Sequence, residues 1–156
     1  MILLLDERQR KELAQYSPYI AIPKVSSQNR RYIPMDYLEG EIIPGDKLFT
    51  MPSATSYEFG ILMSNVHMAW TRAVCGRLKS DYSYSNMIVY NNFPWPSPTN
   101  DHADLYDPLT MPTELLKAHK ANNRAVMHAY GFSIKMSEAD CVAELMRMYQ
   151  KLTKEK

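Results

Sequence analysis

The chain has 156 residues, of which 46% are hydrophobic and 22% charged, so it can bury one good core, and this excludes a disordered protein. Its formal net charge of +1 excludes neither DNA nor any other partner, because a nearly neutral protein can still gather its cations on one surface. No segment of the sequence is long and apolar enough to span a membrane.

The first part of the chain is predicted to mix strands and helices. In chain order, the predicted elements are a short helix from Asp6 to about Tyr16, strands at 19–25 and 48–51, a long helix from Tyr57 to about Leu78, and strands at 77–85 and about 87–90. Pro23 should push the first strand toward a sheet edge or a bulge, because proline cannot donate to the ladder. The long helix is predicted from apolar residues at helical spacing, among them Leu62, Val66 and Trp70.

The chain after Pro98 is predicted to be helical. Pro112 suits a helix start, Gly131 closes that helix after about Tyr130, and Ser137 opens a last helix. The predicted fold class is therefore α+β, with a small mixed β-sheet recognition domain built on one long core helix and followed by a C-terminal helical segment. The predicted boundaries are a helical connector remnant at 1–17, the recognition domain at 18–98 and the helical segment at 99–156.

The most informative segment is the predicted strand at 77–85. Side chains alternate between the two faces of a strand, which would place Lys79, Asp81 and Ser83 on one face and Ser80, Tyr82 and Tyr84 on the other. A lysine can donate to guanine O6 or N7 while a nearby aspartate accepts from the amino group of the paired cytosine. The first face could therefore read a base pair, although the same spacing also fits the solvated face of an ordinary hairpin.

The distribution of charge favours an anionic partner near the middle of the chain. Basic residues concentrate at Lys24, Arg30, Arg31, Arg72, Arg77 and Lys79, whereas several acidic residues lie near the two ends. The two cysteines, Cys75 and Cys141, have no nearby ligand spacing and are predicted to be reduced core thiols of a cytoplasmic protein. The opening residues lack the basic start of a signal sequence and also fit a fragment of a larger chain.

Residues for catalysis do not cluster in this sequence. The four histidines fall in different segments, and none of the five glycines forms a nucleotide-binding loop. The segment 91–95, Asn-Asn-Phe-Pro-Trp, has its proline in the wrong place for the loop with which amino-methyltransferases hold a flipped base. It is interpreted as a rigid exit from the sheet with Phe93 and Trp95 in the core, and the isolated chain is expected to have no catalytic activity.

Several longer motifs resemble one known family. They are Ile22-Pro-Lys-Val-Ser-Ser-Gln-Asn-Arg-Arg-Tyr-Ile-Pro-Met35, Phe59-Gly-Ile-Leu62, His67-Met-Ala-Trp70, Arg72 to Tyr82, and Tyr90-Asn-Asn-Phe-Pro-Trp-Pro96. Together they resemble the target-recognition domain of MmeI-like restriction and modification enzymes. The segment from Ala103 to Pro112, with Leu115 to His119 and Ala129 to Gly131, resembles the C-terminal helical segment of the same family.

The resemblance implies a division of labour in a parent protein. An adenine-N6 methyltransferase domain using S-adenosylmethionine, with a Mg²⁺-dependent nuclease in some members, would do the chemistry. The present chain would hold no cofactor and would choose the sequence of double-stranded DNA. Its partners would be that DNA and the methyltransferase domain of the same bacterial, cytoplasmic chain, and no membrane.

The resemblance also assigns roles to individual residues. Lys79 and Asp81 would act jointly on one base pair, and Ser83 and the Asp46-Lys47 turn would lie near other bases. Phosphate contacts are expected from Lys24, Arg30, Arg31, Arg72 and Arg77. Solubility or electrostatics at a helix end is the structural alternative for these arginines, and for Arg72 it explains the residue nearly as well as a phosphate contact does.

Two other functions remain open from the sequence. A protein-interaction or structural module of a larger complex is compatible with the near-zero net charge. An independent small enzyme would need a catalytic cluster that the sequence does not display.

Overall fold

Two small antiparallel sheets and four α-helices make up the part of the chain that the computed structural model describes, which is Arg8 and residues 18–38, 42–96 and 115–154. The strands are β1 (Tyr19–Pro23), β2 (Val25–Ser26), β3 (Asp36–Leu38), β4 (Leu48–Pro52), β5 (Gly76–Leu78) and β6 (Asp81–Ser83). The helices are α1 (Ser56–Leu62), α2 (Asn65–Val74), α3 (Leu115–Ala129) and α4 (Glu138–Lys154). The α+β class is therefore confirmed. Apart from Arg8, the predicted helix from Asp6 to Tyr16 lies outside the described residues, as does Pro112.

The sheets have the orders β3-β1-β4 and β2-β6-β5, and every pairing is antiparallel, so the mixed sheet that was predicted is absent from the described residues. Pro23 does not mark an edge, because β1 is the central strand and Pro23 is its last residue. At Lys24 the chain passes from one sheet to the other. The Lys24 amide donates to the carbonyl of Lys47 at 3.0 Å, and its own carbonyl accepts from the amide of Tyr84 at 2.8 Å.

The single long helix predicted from Tyr57 to about Leu78 is wrong, because the chain breaks at Ser64 into α1 and α2. The Ser64 side chain donates to the carbonyl of Ile61 at 2.6 Å and accepts from the amide of His67 at 3.2 Å, so it closes one helix and caps the next. The C-terminal segment completes the break. Asn122 donates to the carbonyl of Gly60 at 2.8 Å, and Asn123 accepts from the amide of Asn65 at 2.9 Å.

The strand predicted at about 87–90 is a single π-helical turn instead, Asn86–Tyr90. The Ser85 side chain accepts from the amide of Ile88 at 3.3 Å at its start. Asn92 donates to the carbonyls of Met87 and Ile88 at 3.0 and 3.2 Å. Polar side chains at both ends thus satisfy backbone groups that a strand would have left to a neighbouring strand.

One core joins the sheets to the C-terminal helices. Trp70 on α2 is buried, donates from its indole nitrogen to the carbonyl of Val89 at 2.9 Å, and packs with a ring-centroid distance of 6.0 Å against Tyr149 on α4. Val126 on α3 and Leu145 on α4 are fully buried in the same cluster. Phe93 is buried, as predicted, whereas Trp95 is only partly buried against the cluster.

His67 lies at the centre of this core. Its Nε2 is 3.0 Å from the hydroxyl of Tyr84, and its ring meets Phe93 edge to face with centroids 5.0 Å apart. Burial lowers the pKa of His67 from 6.5 to about 3, so the imidazole is neutral in the folded chain near pH 7. The residue fills the core and is not placed for chemistry with solvent.

Candidate nucleic-acid interface

The predicted strand at 77–85 is a hairpin in the structure, so the alternation proposed across it holds only in part. Strands β5 and β6 are joined by a turn at Lys79 and Ser80, with Leu78 opposite Asp81. Asp81 and Ser83 share one face of β6, while Tyr82 and the following Tyr84 are buried on the other side. Lys79 belongs to neither face, since it stands at the tip of the hairpin and is exposed.

Lys79 adopts a φ of 57°, a backbone conformation that L-residues rarely take. No glycine or asparagine in the turn marks a hairpin in the sequence, which is why a continuous strand was predicted. Among the residues that the structure describes, no side chain pairs with the Lys79 ammonium. Lys79 therefore offers an exposed cation at the tip of the hairpin, where a ligand could reach it.

Replacement of Lys79 by glycine should raise the stability of the chain by up to about 1 kcal/mol, because the left-handed conformation costs a residue with a Cβ atom roughly that much. Urea unfolding measures this gain. Ser53, at a φ of 54°, provides the matched control. Ser53→Gly should give a similar gain in stability and leave DNA binding unchanged, whereas Lys79→Gly should weaken base recognition. A loss of stability in both variants would contradict this account of the turn.

The carboxylate of Asp81 connects the hairpin to the loop at 27–31. Its Oδ1 accepts from the amide of Gln28 at 3.3 Å, so one carboxylate oxygen positions the loop that carries Arg30 and Arg31. Both arginines are exposed, and the guanidinium of Arg31 lies 5.5 Å from the ring centroid of Tyr32. The structure thus joins one predicted base-reading residue to the loop that carries two predicted phosphate contacts.

Lys24 connects the turn at Asp46 and Lys47 to the second sheet. The ammonium of Lys24 donates to the carbonyl of Asp46 at 2.5 Å and lies 5.5 Å from the ring centroid of Phe49. Lys24 is therefore already engaged, whereas the side chains of Asp46 and Lys47 are exposed. The turn is joined to β6 by the backbone of Lys24, which bonds to the turn on one side and to Tyr84 on the other.

The structure does not bring Arg72 and Arg77 to the face of Asp81 and Ser83. Arg77 is opposite Tyr82, and its guanidinium stacks 3.9 Å from the centroid of the Tyr82 ring on the other face. Arg72 forms an ion pair with Glu138 on α4 at 2.9 Å and also donates to the carbonyl of Arg31 at 3.4 Å. These contacts support a structural role for Arg72 instead of a phosphate contact, because Arg72 joins the 27–31 loop to the last helix.

The C-terminal helix α3 supports the same loop. His119 stacks on Tyr32 with centroids 4.8 Å apart, and Asn123 donates to the Tyr32 hydroxyl at 3.0 Å. Burial, with a smaller contribution from Arg31, lowers the pKa of His119. These contacts join residues about 90 positions apart, and no local sequence signal reveals them.

No helix in the described part of the chain is long and apolar enough to cross a membrane. No group of three or more histidine, cysteine, aspartate or glutamate side chains within 18–38, 42–96 and 115–154 could hold a metal ion. Cys141 is buried and Cys75 is half-buried, and both are free thiols.

Comparison with known proteins identifies the family of this chain. Residues 5–97 match the family described as the MmeI target recognition domain, and residues 95–155 match the MmeI C-terminal domain. The chain belongs to the MmeI target recognition domain family. The resemblance found in the sequence motifs is therefore confirmed.

Two similar proteins are much longer than this chain. DNA methyltransferase A of Bacillus subtilis (strain 168) is 36% identical over 168 residues, which cover 94% of this chain and 19% of the relative. A solved structure of the Type IIL restriction-modification enzyme MmeI in complex with DNA matches with a TM-score of 0.77 and 38% identity, covering 88% of this chain and 22% of MmeI. The chain spans about a fifth of each relative.

Two apolar residues that the sequence did not indicate, Val25 and Leu78, lie beside the candidate base-reading residues. Val25 is opposite Ser83, and Leu78 is opposite Asp81, so both lie on the same face as the candidate base-reading residues. Both are apolar and exposed. The sequence could indicate Leu78 only through the register of the hairpin, which depends on the turn at Lys79. It could indicate Val25 only through the pairing of β2 with β6.

Proposed function

We propose that this chain is the DNA sequence-recognition module, with its C-terminal helical segment, of a bacterial adenine-N6 DNA methyltransferase or combined restriction-modification enzyme. Membership of the MmeI target recognition domain family carries the proposal. The hairpin tip and the 27–31 loop support the proposal, since both carry exposed cations and the carboxylate of Asp81 joins the hairpin to that loop. In this function Asp81 and Lys79 read one base pair, and Ser83 and the Asp46-Lys47 turn lie near others.

The chemistry belongs to other domains of the parent. A methyltransferase domain of the same chain binds S-adenosylmethionine and transfers its methyl group to the flipped adenine, and Mg²⁺ is needed only where a nuclease is present. The recognition domain at 18–98 and the helical segment at 99–156 orient the duplex for that domain. The related Bacillus enzyme is consistent with a bacterial parent, which we place in the cytoplasm.

The phosphate contacts give this function a measurable signature. Binding of the full-length protein to duplex DNA should weaken as salt rises, because neutralised phosphates release counterions. Arg30→Gln should lower the slope of log affinity against log salt by about 0.9 and weaken binding to all sequences alike. Fluorescence anisotropy with a labelled duplex measures both quantities.

Arg147→Gln is the matched control, because Arg147 pairs with Glu144 on the exposed surface of α4. This variant should retain the wild-type slope. Binding that is indifferent to salt and to Arg30 would instead favour a structural module that holds the parent together.

A further inference from the structure

The outer face of the second sheet combines exposed apolar and polar side chains. We define this face by Val25, Leu78, Asp81 and Ser83, which share it because directly opposite residues of antiparallel strands point the same way. Val25 is 46% exposed and Leu78 is 58% exposed. Half of the four side chains on this face are therefore apolar and in contact with solvent.

Such a composition is unusual for a sheet face that meets only water. The inner face is covered, since Ser26 and Tyr82 are buried, and an antiparallel sheet with one solvated face normally carries polar side chains there. Gly76, opposite Ser83, adds no side chain, and a Cβ atom at that position would meet only the carbonyl of Ser83, at 3.9 Å. The outer face is thus open to close approach by another molecule.

The charges around this face indicate which molecule approaches it. Lys79 stands at the end of the hairpin, and Arg30 belongs to the loop that Asp81 holds through the amide of Gln28. Cations at the border of this face favour a polyanion such as DNA, and the β5–β6 hairpin within the three-stranded sheet is a ribbon of the kind that a major groove, about 12 Å wide, admits. An apolar protein surface would not require these cations.

We propose that Val25 and Leu78 contact the 5-methyl groups of thymine bases in the major groove, beside the base edges that Asp81 and Ser83 read. The thymine methyl is the apolar group that base pairs present in this groove, and aliphatic side chains recognise it by contact. Opposite side chains lie about 5 Å apart in a sheet, so Leu78 and Asp81 reach neighbouring groups of the same or the adjacent base pair. This inference rests on the proposed function of the chain.

Replacing thymine by uracil tests the proposal, since uracil differs only by lacking the methyl group. The full-length protein first selects its recognised sequence from a random duplex pool, and each thymine of that sequence is then replaced by uracil in turn. At one or two positions, wild-type affinity should fall about fourfold, which corresponds to about 0.8 kcal/mol for one buried methyl group. Leu78→Ala should bind more weakly and lose the sensitivity at one of these positions, and Val25→Ala should lose it at the other.

Ile134→Ala is the control, because Ile134 is 65% exposed but lies between α3 and α4, outside the second sheet. It should keep the wild-type response to uracil. Val25→Thr preserves the branched shape that suits a strand and keeps one of the two methyl groups, so it should retain more of the uracil sensitivity than Val25→Ala.

Three results would overturn the inference while leaving the proposed function intact. In each, the protein still selects a sequence and responds to salt. The selected site contains no thymine, or uracil changes no affinity, or Leu78→Ala and Val25→Ala remain as sensitive to uracil as the wild type. If Leu78→Ala and Val25→Ala lower the unfolding temperature of the full-length protein and keep uracil sensitivity, the outer face packs on another domain. If the wild type selects no sequence at all, the proposed function itself is refuted.

Discussion

Exchanging Lys79 for glutamate and Asp81 for arginine should change one base pair of the recognised sequence and leave the methylation chemistry unaffected. Lysine and aspartate together suit a guanine-cytosine pair, and reversing donor and acceptor reverses the preferred orientation of that pair. A good base contact is worth about 1–3 kcal/mol, so preference at this position should shift by about 5- to 150-fold. Sequencing of the sites methylated by the full-length variant measures the change.

Asp81 has a second contact that the exchange would disturb, so a control variant is needed. Asp81 also accepts from the amide of Gln28, so its replacement by arginine releases the 27–31 loop as well as changing the base contact. Asp81→Asn keeps an acceptor for that amide but removes the charge. We expect this single variant to relax specificity at one position while retaining overall affinity, and an unchanged methylated motif in the double variant would count against the assignment of both residues.

A second large effect should come from acid. The pKa of His67 is lowered by burial from 6.5 to about 3, so below about pH 6.5 the unfolded chain binds a proton that the folded chain does not. The contribution of neutral His67 is therefore complete above pH 6.5 and is lost as pH falls toward 3. The free energy of unfolding should decrease by up to about 1.4 kcal/mol per pH unit in this window.

Urea unfolding between pH 7 and pH 5 measures this effect before most carboxylates begin to titrate. His67→Gln should flatten the dependence, since glutamine keeps a polar group for the Tyr84 hydroxyl and cannot be protonated. His119 is the comparison, because its pKa is lowered too but it is only partly buried. His119→Gln should leave most of the slope, and an equal slope in wild type and His67→Gln would show that His67 is not the source.

The α+β class and the common face of Tyr82 and Tyr84 could be predicted because both depend on local periodicity. The apolar positions around Trp70 repeat at helical spacing, and Tyr82 and Tyr84 alternate with polar residues. The helix break could not be predicted in the same way. Ser64 is an ordinary capping residue, but the asparagines that satisfy the open backbone come from α3, 58 to 62 residues away.

The candidate interface was predictable in composition and not in arrangement. Lys79, Asp81 and Ser83 were identified by residue type, yet a turn without glycine or asparagine separated Lys79 from the other two. Arg72 and Arg77 have the charge expected of phosphate contacts. Their actual neighbours, Glu138 and Tyr82, depend on tertiary packing and on strand register, neither of which local patterns encode.

The core shared between the sheets and the C-terminal helices limits how this unit can be transplanted. Trp70 packs against Tyr149, and Asn122 and Asn123 bind backbone groups at the gap between α1 and α2. A graft that stopped before α3 would therefore expose apolar surface and remove the partners of a backbone carbonyl and a backbone amide. A chimera that is meant to inherit the sequence preference must therefore carry the chain through α4. The outer-face side chains Val25, Leu78, Asp81 and Ser83 can be exchanged between relatives, because they lie outside that core, whereas Tyr82 of the same hairpin belongs to it.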